Sequence, residues 1–282
     1  VKIDPDAPAD TVKVAARGEL QLAVLIETMR REGYEMQISR PQVIFKRGDS
    51  RGIPLSGMGA EGGSPSNKTD ILEPYELVTL ELPEDAVGSV MEDLSRRKGE
   101  MLDMARLENG SSRLEYSIPT RGLIGFRSNY LTMTRGLGIM ASLFDGYKPY
   151  RGEVASRTQG SLIAKDPGKL TRYAYEDIQE RGILFYPVGT EVYGGMIVGA
   201  CSRDEDMIVN ATKEKAATNI RSSTSEATTV LDPHREFSLE QALSWLRDDE
   251  LLEVTPKQLR FRKKVLDHSE RRVAERRSEV AV

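Results

Sequence analysis

Apolar positions along this chain follow two periods, and the period changes tell where elements begin and end. Leu22, Leu25, Ile26 and Met29 recur at i, i+3, i+4 and i+7, the stripe of a helix lying on a sheet. Arg30 and Arg31 fall in its last turn and Gly33 follows, a stop signal. Before that helix Thr11–Ala15 alternates as a half-buried strand, and after it extended segments are expected near Glu35–Ser39 and Gln42–Arg47. Residues 48–70, rich in Gly, Ser and Pro, read as a loop or linker.

A second unit starts at Leu72. Tyr75–Leu82 alternates, and Ala86–Arg97 carries Val87, Val90, Met91 and Leu94 on one helical face before Gly99. Glu100–Leu107 and Ser112–Ile118 read as strands joined at Asn109-Gly110, a strong hairpin signal. Arg121–Thr134 is expected to be one helix and Gly138–Phe144 a last strand. The order βαββαβ is the ferredoxin-like unit, and the first stretch matches the later part of the same unit.

Past Tyr150 the strands become short. Gly160–Ala164, Ala174–Tyr175, Gly182–Phe185, Glu191–Val192 and Met196–Cys201 are separated by Gly and Pro turns, suggesting a small barrel or sandwich. Ser238 with Gln241 three residues on forms a capping box opening a helix to Arg247. Glu253–Arg262 is expected as a single closing strand. The fold class is therefore α+β: two ferredoxin-like α/β sandwich domains, the first truncated, then a β-barrel-like C-terminal domain with helices. The expected boundaries are 1–70, 71–149 and 150–282.

Charge alters this picture at one end. Net charge is −4, but from Lys257 onward nine Lys/Arg stand against four Asp/Glu, a local basic surface suited to a polyanion or a solubilising helix. The apolar runs are too short to cross a bilayer. Cys201 is the single cysteine, which excludes an intrachain disulfide and fits a small buried apolar residue.

Chemistry is sparse. His234 and His268 have no partners at metal-ligand spacing, and no Gly-x-Ser-x-Gly elbow occurs. Asp248-Asp249-Glu250 reads as a solvated helix end. Asn67-Lys68-Thr69-Asp70 spells a guanine-reading signature, yet no Gly-x-x-x-x-Gly-Lys-[Ser/Thr] loop accompanies it. It reads as linker, and this chain is expected neither to bind GTP tightly nor to catalyse.

Several segments resemble the BipA/TypA family of ribosome-associated translational GTPases, relatives of elongation factor G. Arg17-Gly-Glu-Leu-Gln-Leu, Leu25-Ile-Glu-Thr-Met-Arg-Arg-Glu-Gly-Tyr-Glu and Ser39-Arg-Pro resemble its third domain. Pro119-Thr-Arg-Gly-Leu-Ile-Gly-Phe-Arg resembles a helix of its fifth domain. Tyr193-x-Gly-Met-Ile-Val-Gly, Thr218-Asn-Ile-Arg-Ser, Asp248-Asp-Glu-Leu-Leu-Glu-Val-Thr-Pro and Arg260-Phe-Arg-Lys-Lys resemble its distinctive C-terminal domain. The long loop 48–70, and Ala15-Ala16 where the family has Ser-Gly, depart from the pattern.

The resemblance implies the C-terminal portion of such a factor, with GTP and Mg held in a GTPase domain absent here and no cofactor in this chain. It implies a monomer in the bacterial cytoplasm, or in an organelle stroma or matrix, binding the ribosome in large-subunit assembly and stress adaptation. Large-subunit rRNA and A-site tRNA are the implied partners. By motif position, loop Asn210–Arg221 is the one directed at the peptidyl-transferase centre and the acceptor end of that tRNA. There Lys213, Lys215 and Arg221 are suited to neutralise phosphates, and Thr218 and Asn219 to donate to sugar and phosphate oxygens. Arg121, Arg127, Arg260, Arg262, Lys263 and Lys264 are the next candidates. A stand-alone ferredoxin-like enzyme and a nucleotide-sensing regulatory module are the alternatives; the first has no nucleophile, metal cluster or cofactor loop behind it, and for the second the resemblance implies a nucleotide site in the GTPase domain absent here.

Overall fold

The structure, a computed structural model, describes residues 2–3, 11–48, 71–108, 110–154, 157, 159–214 and 230–280. Most of loop 48–70, the Asn67–Asp70 signature and four predicted site residues (Lys215, Thr218, Asn219 and Arg221) lie outside them. The chain forms two compact units, Val1–Arg40 with Arg157–Val282, and Pro41–Ser156.

The first segment holds β1 (Lys2–Ile3) paired with β2 (Val14–Ala15), then α1 (Glu19–Arg31) and β3 (Met36–Ser39). The predicted stripe is the inward side of α1, where Ala23 and Ile26 are buried. Its end follows the expected signal: Gly33 takes φ +93°, and Tyr34 N–H donates to Met29 O at 3.1 Å, closing a Schellman turn.

The unit Pro41–Ser156 contains β4 (Lys46–Arg47), β5 (Ile71–Pro83), α2 (Val87–Arg96), β6 (Glu100–Arg106), β7 (Ser111–Pro119), α3 (Thr120–Leu123), α4 (Phe126–Met133) and β8 (Ile139–Pro149). Its antiparallel sheet runs β8-β5-β7-β6, with β4 on the start of β5, the strand order of a ferredoxin-like unit. Alternation sends Val78, Leu80, Leu82, Leu114, Tyr116 and Ile118 inward against Val87, Val90, Leu94, Phe126 and Tyr130. The Tyr130 hydroxyl donates to Glu81 O (2.8 Å), and burial pushes its pKa up to about 12.

The helix expected over Arg121–Thr134 is two helices. Ile124 is extended, and Gly125 sits at φ +70°, a conformation that favours glycine. Breaking the helix frees carbonyls, and Arg97 Nη1 donates to two of them, Gly122 O at 2.8 Å and Ile124 O at 3.0 Å.

The remaining elements are β9 (Ser161–Ala164), β10 (Gly168–Lys169), α5 (Arg172–Gln179), β11 (Gly182–Leu184), β12 (Glu191–Val192), β13 (Met196–Cys201), β14 (Met207–Val209), α6 (Leu239–Trp245), β15 (Glu250–Val254), β16 (Leu259–Lys263) and α7 (His268–Val280). They do not close a barrel. The sheet runs β14-β9-β13-β16-β15-β3, open at both ends, with β11 beside β16 on the same edge of β13. Strands β9 and β13 are buried at every residue, the mark of a sheet covered on both faces. Four aromatic rings (Phe185, Phe237, Trp245 and Phe261) pack at centroid separations from 4.8 to 6.1 Å. Cys201 is buried among the apolar residues, as expected.

Two further expectations are corrected. Ala174–Tyr175 belongs to helix α5, whose N-cap Thr171 accepts from Ala174 N–H at 3.1 Å; two adjacent apolar residues carry no period. The closing strand is a hairpin, because Thr255 and Gln258 bond across a turn holding Pro256.

Candidate nucleic-acid interface

Three predicted cations reach the surface. Lys213 is exposed just after β14, and the backbone leading to it is tied to the start of α5. Thr171 N–H donates to Ala211 O at 3.1 Å, and the Thr171 hydroxyl donates to Lys213 O. Thr212 N–H and its hydroxyl both bond Asn210 Oδ1, at 3.2 and 3.1 Å. This anchor holds the backbone at Ala211 and Lys213 against the N-terminus of α5. Lys213 Nζ lies 5.3 Å from the centroid of the Tyr173 ring, within cation–π range. Arg127 is exposed on α4 and Lys264 is exposed after β16.

Arg260 and Arg262 are half-buried. Both lie beside Glu253: Arg260 is its cross-strand partner, and Arg262 pairs with it at 3.5 Å while donating to Lys263 O at 3.1 Å.

Arg121 and Lys263 leave the set of surface cations. Arg121 forms an ion pair with the fully buried Glu73, donates to Gly152 O and lies over the Tyr150 ring at 4.6 Å. Glu73 also accepts from Arg151 N–H at 2.9 Å. Arg121 thus pins the start of β5, the start of α3 and the segment after β8 together.

Lys263, 2% exposed, contacts Asp206 at 2.5 Å, Asp249 at 2.6 Å and Glu250 at 3.2 Å. The acidic stretch read as a solvated face is therefore partly interior. Glu250 has no exposed surface and also accepts from Arg157 at 2.8 Å, Ser161 at 2.6 Å and Arg247 N–H at 2.9 Å. Asp206 accepts from Ser161 N–H at 2.8 Å and faces Arg247 at 3.6 Å. Three carboxylates thus meet three cations, Arg157, Arg247 and Lys263, and Arg157 also lies over Trp245 at 3.4 Å. Burial opposes charge on Lys263, but Glu250 and Asp206 outweigh it and raise its pKa. Burial likewise opposes charge on Asp206, and Lys263 with the Ser161 amide holds its pKa low.

Strand alternation held a signal for this cluster. In β15 the inward positions are Glu250, Leu252 and Val254, and in β16 they include Phe261 and Lys263; Glu250 and Lys263 are direct cross-strand partners. Glu73 and Asp206 carry no comparable signal.

No group of three or more His, Cys, Asp or Glu suited to a metal occurs among the described residues, and no helix among them is long and apolar enough to cross a membrane. Hollows among the described residues are shallow. One of about 330 Å³ lies between Tyr175, Ile183 and Asp232, and one of about 560 Å³ between α1 and Phe237; neither gathers a catalytic set.

The class of protein comes from family comparison, which matches the ferredoxin-like unit and the segment after it to two translation-factor domain families. Residues 70–158 match the elongation factor G C-terminus and residues 159–268 the TypA/BipA C-terminal domain. The chain belongs to the BipA/TypA family. It is 44% identical over 282 residues, all of this chain and 43% of the relative, to the large ribosomal subunit assembly factor BipA of Bacillus subtilis (strain 168). It is also 44% identical over 277 residues, 98% of this chain and 42% of each relative, to the proteins of that name in Salmonella typhimurium and Escherichia coli (strain K12). The chain thus spans less than half the length of these relatives.

Proposed function

We propose that this chain is the ribosome-binding portion of a BipA-type large-subunit assembly factor. The observation that carries the reading is the 44% identity, sustained along the whole chain, to proteins named for that role. In this reading the chain contacts large-subunit rRNA through exposed cations, and loop Asn210–Arg221 points at the peptidyl-transferase centre and the acceptor end of A-site tRNA. The protein acts as a monomer in the cytoplasm and serves growth under stress. GTP and Mg belong to a GTPase domain elsewhere in the full protein, and this chain takes no cofactor of its own. The RNA-contact set is Lys213, Arg127 and Lys264, joined by Lys215, Thr218, Asn219 and Arg221 in the loop beyond the anchor and by Arg260 and Arg262 at the edge of β16.

Co-sedimentation with ribosomes and separated subunits across a salt series tests this. Binding to the large subunit that weakens steeply with salt is expected. Replacing Lys213 and Lys215 together with Ala should lower affinity and flatten the log–log salt slope by about one unit per lost phosphate contact. Ribosome binding with unchanged affinity and slope in that variant would remove the loop from the interface.

A further inference from the structure

We infer that Tyr173 and Lys213 form a stacking platform for an unpaired nucleobase of single-stranded RNA. The inference rests on the RNA-binding reading above and adds to it a particular residue and a particular kind of contact. Tyr173 occupies the first turn of α5 and is 39% exposed, while the next two residues, Ala174 and Tyr175, are buried. Tyr173 is thus presented from a helix whose other face is in the core, and a tyrosine has only two side-chain torsions to order on binding.

The surroundings select the ligand. Lys213 Nζ stands over the ring at 5.3 Å, placing one cation where a phosphate flanking a stacked base would lie. The backbone of Lys213 is held by the Thr171 hydroxyl on Lys213 O, beside the Thr171 amide on Ala211 O, so the residue that carries the cation is anchored to the N-cap of the helix that carries the ring. Lys169 is exposed two residues before Thr171, and a Cβ on Gly168 would come within 2.8 Å of Thr212 Cγ2. The backbone of β10 therefore runs against the same loop. Acidic groups are also near: Arg172 pairs with Glu176 at 3.3 Å, Lys169 faces Glu191 across the strand pair, and Glu214 is exposed. The platform is thus a local cation–ring pair in a mixed surface. Such a pair fits one base and its phosphate, because every base offers a π face and the backbone supplies the charge. Double-stranded RNA offers no free base face here.

The test uses the 282-residue chain and a fluorescent single-stranded RNA of about ten nucleotides, titrated over a salt series beside an abasic RNA of the same length. Tyr173→Leu should weaken binding to the intact RNA about tenfold while leaving the salt slope unchanged. Tyr173→Phe should bind like the unchanged chain. Lys213→Ala should flatten the slope, and the abasic RNA should bind more weakly than the intact one to the unchanged chain and to Tyr173→Phe, but not to Tyr173→Leu. Normal binding by Tyr173→Leu, or equal affinity for intact and abasic RNA, overturns the platform and leaves the RNA-binding reading standing. Failure of the unchanged chain to bind either RNA or ribosomes at low salt overturns both. The circular dichroism spectrum and melting temperature of Tyr173→Leu should stay close to those of the unchanged chain, since Tyr173 is 39% exposed and lies outside the buried face of α5.

Discussion

Helix ends show how single residues set this fold. α1 ends with Gly33 in the left-handed region, but α2 and α4 end with Lys98 at φ 66° and Arg135 at φ 53°. Both keep the Schellman bonds: Gly99 N–H to Leu94 O at 2.8 Å and Gly136 N–H to Leu131 O at 2.7 Å. The glycine that marks each end in the sequence thus stands one residue past the position that needs it most. A basic side chain there gains from the helix dipole and is strained by its Cβ. Lys98→Gly should therefore raise unfolding stability by roughly 0.5–1 kcal/mol in urea titrations; a loss would mean that the charge outweighs the strain. The Ser238–Gln241 capping box was legible in full, because both partners lie within four residues. Glu73 and Arg121 were not, because 48 positions separate them.

At the scale of elements, helical stripes and alternating strands were easy to read and chain breaks were not. The split between α3 and α4 depends on Arg97, 25 residues before Gly122, taking the freed carbonyls. Gly125 is a local sign of a break in Arg121–Thr134, but the partner that takes the freed carbonyls lies outside the stretch. The paired strands β15 and β16 carry the buried charges, and their energetics are testable. Glu250→Gln leaves Lys263 and Arg157 undercompensated in the interior and should cost about 3–5 kcal/mol. A loss below about 1 kcal/mol by denaturant titration would mean that water or rearrangement relieves the cations.

The same cluster predicts a pH response. The folded pKa of Asp206 is depressed, so its contribution is present above the ordinary aspartate range and is lost as pH falls through the folded value. The folded pKa of Lys263 is raised, so its contribution is full below the ordinary lysine value and is lost only as pH rises through the folded one. Stability should therefore fall below about pH 4, and Asp206→Asn should flatten the curve in that acid window. An equally steep acid limb in the variant would assign the loss to other carboxylates.

For the whole molecule, the α+β class and one ferredoxin-like unit were legible, since 71–149 holds all six elements of that unit in order. The C-terminal topology was not, because short strands between Gly and Pro turns reveal their number and not their neighbours. The observed grouping joins Val1–Arg40 to Arg157–Val282, where the sequence suggested a cut at residue 70. The cause is concrete: β3 pairs with β15 over Met36–Ser39 and Leu251–Val254, and α1 lies beside α6 in the same unit. Removing residues 1–40 should accordingly lower the melting temperature of the unit built on 157–282 and leave the transition of Pro41–Ser156 in place. Equal shifts in both transitions, followed by calorimetry, would contradict that division.

The pairing of β3 with β15 also has a consequence for synthesis. Strand β3 is translated about 210 residues before its partner, so at about 5–20 residues per second it waits on the order of 10–40 s without the strand it pairs with. The intervening unit, whose strands are contiguous in sequence, can complete its own sheet during that delay. Within this stretch, folding during synthesis therefore completes Pro41–Ser156 before β3 finds its partner.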